Sequence, residues 1–118
     1  MKMASYHGSC QCGAVSYDVE VDLGQTVTCN CSRCQRMGFV LAFAPAEAFQ
    51  LRSGADAVTE YRFASRTIRH LFCSTCGIES YAEGRKPDGS AVMAVNVNCL
   101  EGVDPRALGS KHMDGRSR

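Results

Sequence analysis

Alternation of apolar and polar positions is the strongest pattern along this chain. Residues 14–21, Ala-Val-Ser-Tyr-Asp-Val-Glu-Val, put an apolar side chain at every second position, which is the signature of a strand with one buried face. Shorter apolar runs at 39–43, 49–51, 58–63, 67–72, 78–82 and 91–97 predict further strands. Turn chemistry separates several of them, at 52–56 (Arg-Ser-Gly-Ala-Asp) and 86–89 (Lys-Pro-Asp-Gly). The one helical piece is 32–37, too short to stand alone. The expected class is mainly β, antiparallel strands with cysteine knuckles in the connecting loops.

Composition sharpens this picture. With 118 residues, 45% of them hydrophobic, the chain suits one domain spanning 1–118 with one modest core. Five Phe, four Tyr and no Trp leave that core to Val, Ala and Leu, so something besides apolar burial is expected to stabilise the fold. A net charge of +1, from 13 basic and 12 acidic residues, sets up no field that would draw nucleic acid or an anionic membrane. The N-terminal residues lack the apolar run of a signal peptide, and no stretch is long and apolar enough to span a bilayer. A cytoplasmic protein is expected. No repeat or linker precedes the basic, polar end at 109–118.

Eight cysteines change the picture most. A reducing compartment disfavours disulfides, and thiols one or two residues apart bridge poorly, which leaves metal binding or thiol chemistry. Cys10-Gln11-Cys12-Gly13 and Cys73-Ser74-Thr75-Cys76-Gly77 are two tight cysteine turns that together supply four thiolates, a closed tetrahedral shell for Zn(II). The glycine after each second cysteine suits a positive φ that curls backbone amides toward sulfur. A redox Cys-x-x-Cys normally opens a helix in a βαβ unit, a pattern missing here.

Cys29-Asn30-Cys31-Ser32-Arg33-Cys34 puts three thiols on one short loop. Three protein ligands and one exchangeable position are typical of a catalytic zinc; an iron–sulfur cluster would want a fourth thiolate, with Cys99 the one cysteine left over. Cys99 itself reads as a small buried hydrophobe after the 91–97 strand, or as the ligand that closes this second site, or as a reactive thiol. Three thiolates leave the zinc complex with a net charge of about minus one, poor for acidifying water but suited to holding an incoming thiol against an electrophile. Arg33 and Arg36 flank the loop and either hold substrate carboxylates, favour thiolate over thiol, or simply face solvent. His7, His70 and His112 are scattered and carry no assigned role.

The ordered runs Gly8-Ser9-Cys10-Gln11-Cys12-Gly13-Ala14-Val15, Cys29-Asn30-Cys31-Ser32-Arg33-Cys34 and Phe72-Cys73-Ser74-Thr75-Cys76-Gly77 resemble the glutathione-dependent formaldehyde-activating enzyme family, which includes centromere protein V. The likeness continues through 95–104 and Met113-Asp114-Gly115-Arg116. It implies a β-tent of small antiparallel sheets and two Zn(II) per chain, one structural on Cys10, Cys12, Cys73 and Cys76, the other catalytic on Cys29, Cys31 and Cys34. It also implies a carbon–sulfur lyase joining a glutathione-like thiol to a small aldehyde such as formaldehyde. A non-catalytic zinc module that binds a macromolecule or senses metal or oxidant is the alternative. In one departure, the family's usual Cys-His-Cys is Cys29-Asn30-Cys31, and Asn30 cannot carry a proton near neutral pH. Proton transfer there needs another group or water.

Overall fold

The computed structural model describes residues 3–64 and 66–117. It is mainly β, with strands β1 (Ala4–Ser9), β2 (Ser16–Val21), β3 (Val27–Cys29), β4 (Leu41–Pro45), β5 (Phe49–Ser53), β6 (Val58–Tyr61), β7 (Arg69–Cys73), β8 (Tyr81–Arg85), β9 (Ala91–Asn96) and β10 (Lys111–Met113), and one short helix, α1 (Ser32–Met37). Two sheets form, β1-β2-β5 and β10-β3-β4-β9-β8-β7-β6. Pairing is antiparallel throughout except where β10 returns parallel to β3.

The alternation in β2 does what it predicts. Tyr17, Val19 and Val21 are buried, and Ala42, Ala44, Leu71, Met93 and Val95 from the larger sheet close the core around them. Tyr17, Phe49 and Tyr81 meet across the two sheets with ring centroids 4.7 to 5.7 Å apart, an arrangement favourable beyond area burial alone. The Tyr17 hydroxyl donates to the Ser80 carbonyl at 2.8 Å, so the largest core side chain carries a satisfied polar end. Gly8 lies flat against that ring: a Cβ there would fall 2.6 Å from it.

Several boundaries differ from the sequence reading, each for a local reason. The expected strand at 78–82 begins only at Tyr81, because Ile78 to Ser80 are taken up by closing the knuckle: Ile78 O accepts from Cys73 N at 3.0 Å and Ser80 O from Asn96 N at 3.0 Å. The run at 39–43 pairs instead over Leu41–Pro45, since Gly38 ends α1 in a left-handed conformation just before it. The run at 67–72 pairs over Arg69–Cys73, ending on a cysteine. β1, β3 and β10 have no clear apolar alternation and were not expected. β10 lies in the polar end, of which Arg118 is outside the described residues.

Candidate metal centres

The first centre joins two knuckles distant in sequence. Cys10 and Cys12 precede β2; Cys73 ends β7, and Cys76 lies three residues on. Gly13 and Gly77 take φ of +85° and +80°, as the Cys-Gly steps suggested, and each turn is closed by a backbone bond, Gly13 N to Cys10 O at 3.3 Å and Gly77 N to Cys73 O at 2.9 Å. All four sulfurs lie within 4.8 Å of one another, with Cys10 to Cys12 at 3.7 Å and Cys12 to Cys73 at 3.6 Å. Four sulfurs held about 2.3 Å from one ion stand about 3.8 Å apart at tetrahedral angles, so the spacing fits a metal of zinc's size. Amides point at the cluster: Val15 N to Cys10 Sγ at 3.3 Å, and Thr75 N and Cys76 N to Cys73 Sγ at 3.4 Å. The Cys76 and then the Thr75 amide hold the Cys73 thiol below its ordinary pKa, favouring the thiolate a metal requires.

The second centre is local. β3 delivers Cys29, Cys31 caps α1 by accepting from Cys34 N at 3.4 Å, and Cys34 sits in the first turn. Cys31 N in turn donates to Cys29 Sγ at 3.4 Å. The three sulfurs also lie within 4.8 Å of one another, and among the described residues no fourth Cys, His, Asp or Glu joins them. Burial would raise the Cys31 pKa, but the Cys34 amide and its other neighbours outweigh it and lower the thiol; burial and the neighbouring Cys31 drive Cys34 upward. Both clusters could therefore hold metal ions, and their all-sulfur donor sets suit zinc.

All eight cysteines are free thiols. Cys99 does not close the second centre. It lies beside the first, where burial raises its pKa to about 11 with Cys10 and Cys76 adding to the shift. Of the two flanking arginines, Arg36 faces solvent and Arg33 is bound within the protein. Arg33 pairs with a buried carboxylate: its Nη2 and Nε donate to Glu79 Oε1 at 2.7 and 3.0 Å, and its guanidinium lies 4.9 Å from the centre of the Tyr61 ring. Arg36 donates to the Ser32 carbonyl of its own helix at 2.8 Å.

Asn30, between Cys29 and Cys31, anchors the segment 113–116. Its amide donates to Asp114 Oδ1 at 2.9 Å, its oxygen accepts from Arg116 N at 2.9 Å, and its own N–H meets Met113 O at 3.2 Å. This draws Gly115 so close that a Cβ there would fall 2.6 Å from Cys29 Sγ. Only glycine fits.

A cavity of about 300 Å³ opens beside the three sulfurs. Val27, Phe39, Leu41, Phe43, Ile68, Ala82 and Ala94 make it mostly apolar, and besides the thiols its ionisable groups are His70 and Glu79. Glu79 is only 2% exposed, yet it takes three hydrogen bonds, two from Arg33 and one at 2.8 Å involving His70 Nδ1. Buried charge is tolerated only when paired this fully. Sequence reasoning gave His70 no role and did not single out Glu79. The available signal was positional, one lying three residues before Cys73 and the other three after Cys76. His7 and His112 make surface bonds to Asp18 and Thr28.

These features agree with what comparison finds. The family model for glutathione-dependent formaldehyde-activating enzyme matches residues 5–112. A crystal structure of a Rhodobacter sphaeroides protein is 38% identical, covering 91% of this chain and 98% of that one, with a TM-score of 0.80. The chain belongs to the glutathione-dependent formaldehyde-activating enzyme family.

Proposed function

We propose that the chain is a zinc-dependent carbon–sulfur lyase acting on a glutathione-like thiol and a small aldehyde such as formaldehyde, with residues 1–118 working as one unit. Two Zn(II) per chain belong to this reading, a structural ion on Cys10, Cys12, Cys73 and Cys76 and a second on Cys29, Cys31 and Cys34. The observation that carries it is the contrast in donor number: four sulfurs in one cluster, three in the other, with the three beside a cavity. A zinc ion on three thiolates supplies a soft Lewis acid that favours a further sulfur ligand. The chain's residues do the rest. Cys29, Cys31 and Cys34 set where the thiol sulfur arrives, and the walls at Phe39, Leu41 and Phe43 limit water around the carbonyl carbon. Cysteines committed to metal rather than to disulfides suit a reducing compartment, and we place the protein in the cytoplasm.

A non-catalytic module would need the second shell closed by protein. The place of Cys99 beside the other cluster favours the open form. Substituting cobalt for zinc and titrating glutathione tests the reading: the thiolate-to-metal absorption should change saturably as a sulfur joins the second site. A spectrum unmoved by millimolar glutathione would contradict it.

A further inference from the structure

Joining a thiol to an aldehyde needs a proton moved, and Asn30, between Cys29 and Cys31, cannot carry one near neutral pH. The thiol loses one and the carbonyl oxygen gains one. The ionisable side chains lining the cavity besides the three cysteines are His70 and Glu79. Glu79 cannot serve: both its oxygens are occupied, Oε1 by Arg33 and Oε2 by His70. His70 differs. Its Nδ1 meets Glu79 Oε2 at 2.8 Å, and an ionised carboxylate only accepts, so Nδ1 carries the hydrogen and Nε2 is left with its lone pair. Among the described residues the one side-chain N or O atom that is both fully buried and unpartnered is the Ser80 hydroxyl, and His70 bonds through Nδ1, so Nε2 is left open to the cavity side of the ring's surroundings.

The ring is also held in place. Phe63 stacks on it with centroids 5.2 Å apart, and β7 pairs His70 with Tyr61 on one side and Ala82 on the other. The charged and titratable groups facing it are Glu79, Arg33 through that same carboxylate, Tyr61, and the cysteines across the cavity. An imidazole fixed by a buried carboxylate beside a candidate reaction site is how general bases are commonly held.

Resting on the lyase reading above, we propose that His70 is the proton-transfer residue of the second centre and Glu79 the positioning residue that fixes its tautomer. In the forward direction Nε2 accepts the proton of the thiol, the sulfur forms its bond to the carbonyl carbon, and the carbonyl oxygen takes the proton back from Nε2. The sum is thiol plus aldehyde giving hydroxyalkyl thioether, with His70 regenerated and no other reactant consumed. Cleavage runs the same steps in reverse.

The test has two arms on the zinc-loaded full chain. Long-range proton–nitrogen correlation NMR reads the His70 tautomer without any turnover, and should find hydrogen on Nδ1 and none on Nε2; the opposite tautomer would overturn the proposal. Exchange NMR on glutathione and formaldehyde then measures adduct formation. His70→Asn keeps a donor toward Glu79 but removes Nε2, and should slow the reaction by about 100-fold or more with zinc per chain unchanged and partial rescue by added imidazole. His70→Asn working within twofold of wild type sinks the role of His70 and leaves the lyase reading standing. A wild-type protein that does not accelerate the reaction sinks both.

Discussion

The two cysteine clusters share a ligand type and little else. Cys10 and Cys12 stand 61 residues or more from Cys73 and Cys76 in the chain, and closing them joins the loop before β2 to the β7–β8 connection. Cys29, Cys31 and Cys34 fall within six residues and join nothing distant by themselves; their long-range support comes from Asn30, Gly115 and the returning strand β10. In the proposed reading, an ion in the first cluster would stabilise the fold, and an ion in the second would be placed by it. Closed coordination and long sequence separation go with architecture, whereas open coordination and a cavity go with chemistry.

Removing metal from the first cluster should have the largest effect. Structural zinc binding contributes about 10–16 kcal/mol, against about 5–15 kcal/mol for a whole domain. We expect Cys73→Ser, or chelation, to abolish cooperative thermal unfolding as followed by circular dichroism. A native-like melt in metal-free protein would erase the proposed difference between the clusters. Cys31→Ser should do less to the fold and more to function: one of two zinc ions lost by native mass spectrometry, a cooperative melt retained, and lyase activity gone.

Gly115→Ala sharpens the contrast from outside the ligands. Its Cβ would fall 2.6 Å from Cys29 Sγ and 3.3 Å from Cys31 Cβ, so the Cys29 sulfur would have to rotate out of the cluster or the backbone shift. We expect zinc affinity at the second centre to fall about 10- to 100-fold, the usual range for disturbing a ligand's support, and the first centre to be untouched. Competition with a chromophoric chelator separates the two.

The smallest effect lies far from both clusters. His7 and then Arg52 hold the Asp18 carboxyl below its ordinary pKa, on the outer face of the three-stranded sheet. A carboxylate more acidic in the folded than in the unfolded chain stabilises above the unfolded value, and that contribution is lost as pH falls through the folded one. Because the Asp18 side chain is 43% exposed, the effect is modest. Asp18→Asn should lower Tm slightly at neutral pH and less at about pH 3. An equal shift at both would remove the charge from the explanation.

How legible all this was in the sequence depended on range. β2 announced itself through Tyr17, Val19 and Val21, and the cysteine spacings marked both centres, since period and spacing are local properties. β1, β3 and β10 were hidden because backbone pairing with a neighbour, rather than apolar alternation, makes them strands. Cys99 was a possible ligand of the wrong cluster for the same reason, as only the fold sets it beside Cys10 and Cys76. His70 and Glu79 acquire meaning only when β7, the segment before β8 and α1 meet, and a lone histidine on a strand gives no hint of that meeting.

X-ray absorption at the zinc edge tests the central contrast most directly. Protein loaded with two zinc ions should show an average of about 3.5 sulfurs per zinc at about 2.3 Å, the mean of a four-thiolate and a three-thiolate site, with the remainder made up by a lighter donor. Saturating glutathione should raise that average toward four. An average of four before any thiol is added, or no change afterwards, would contradict the open second centre.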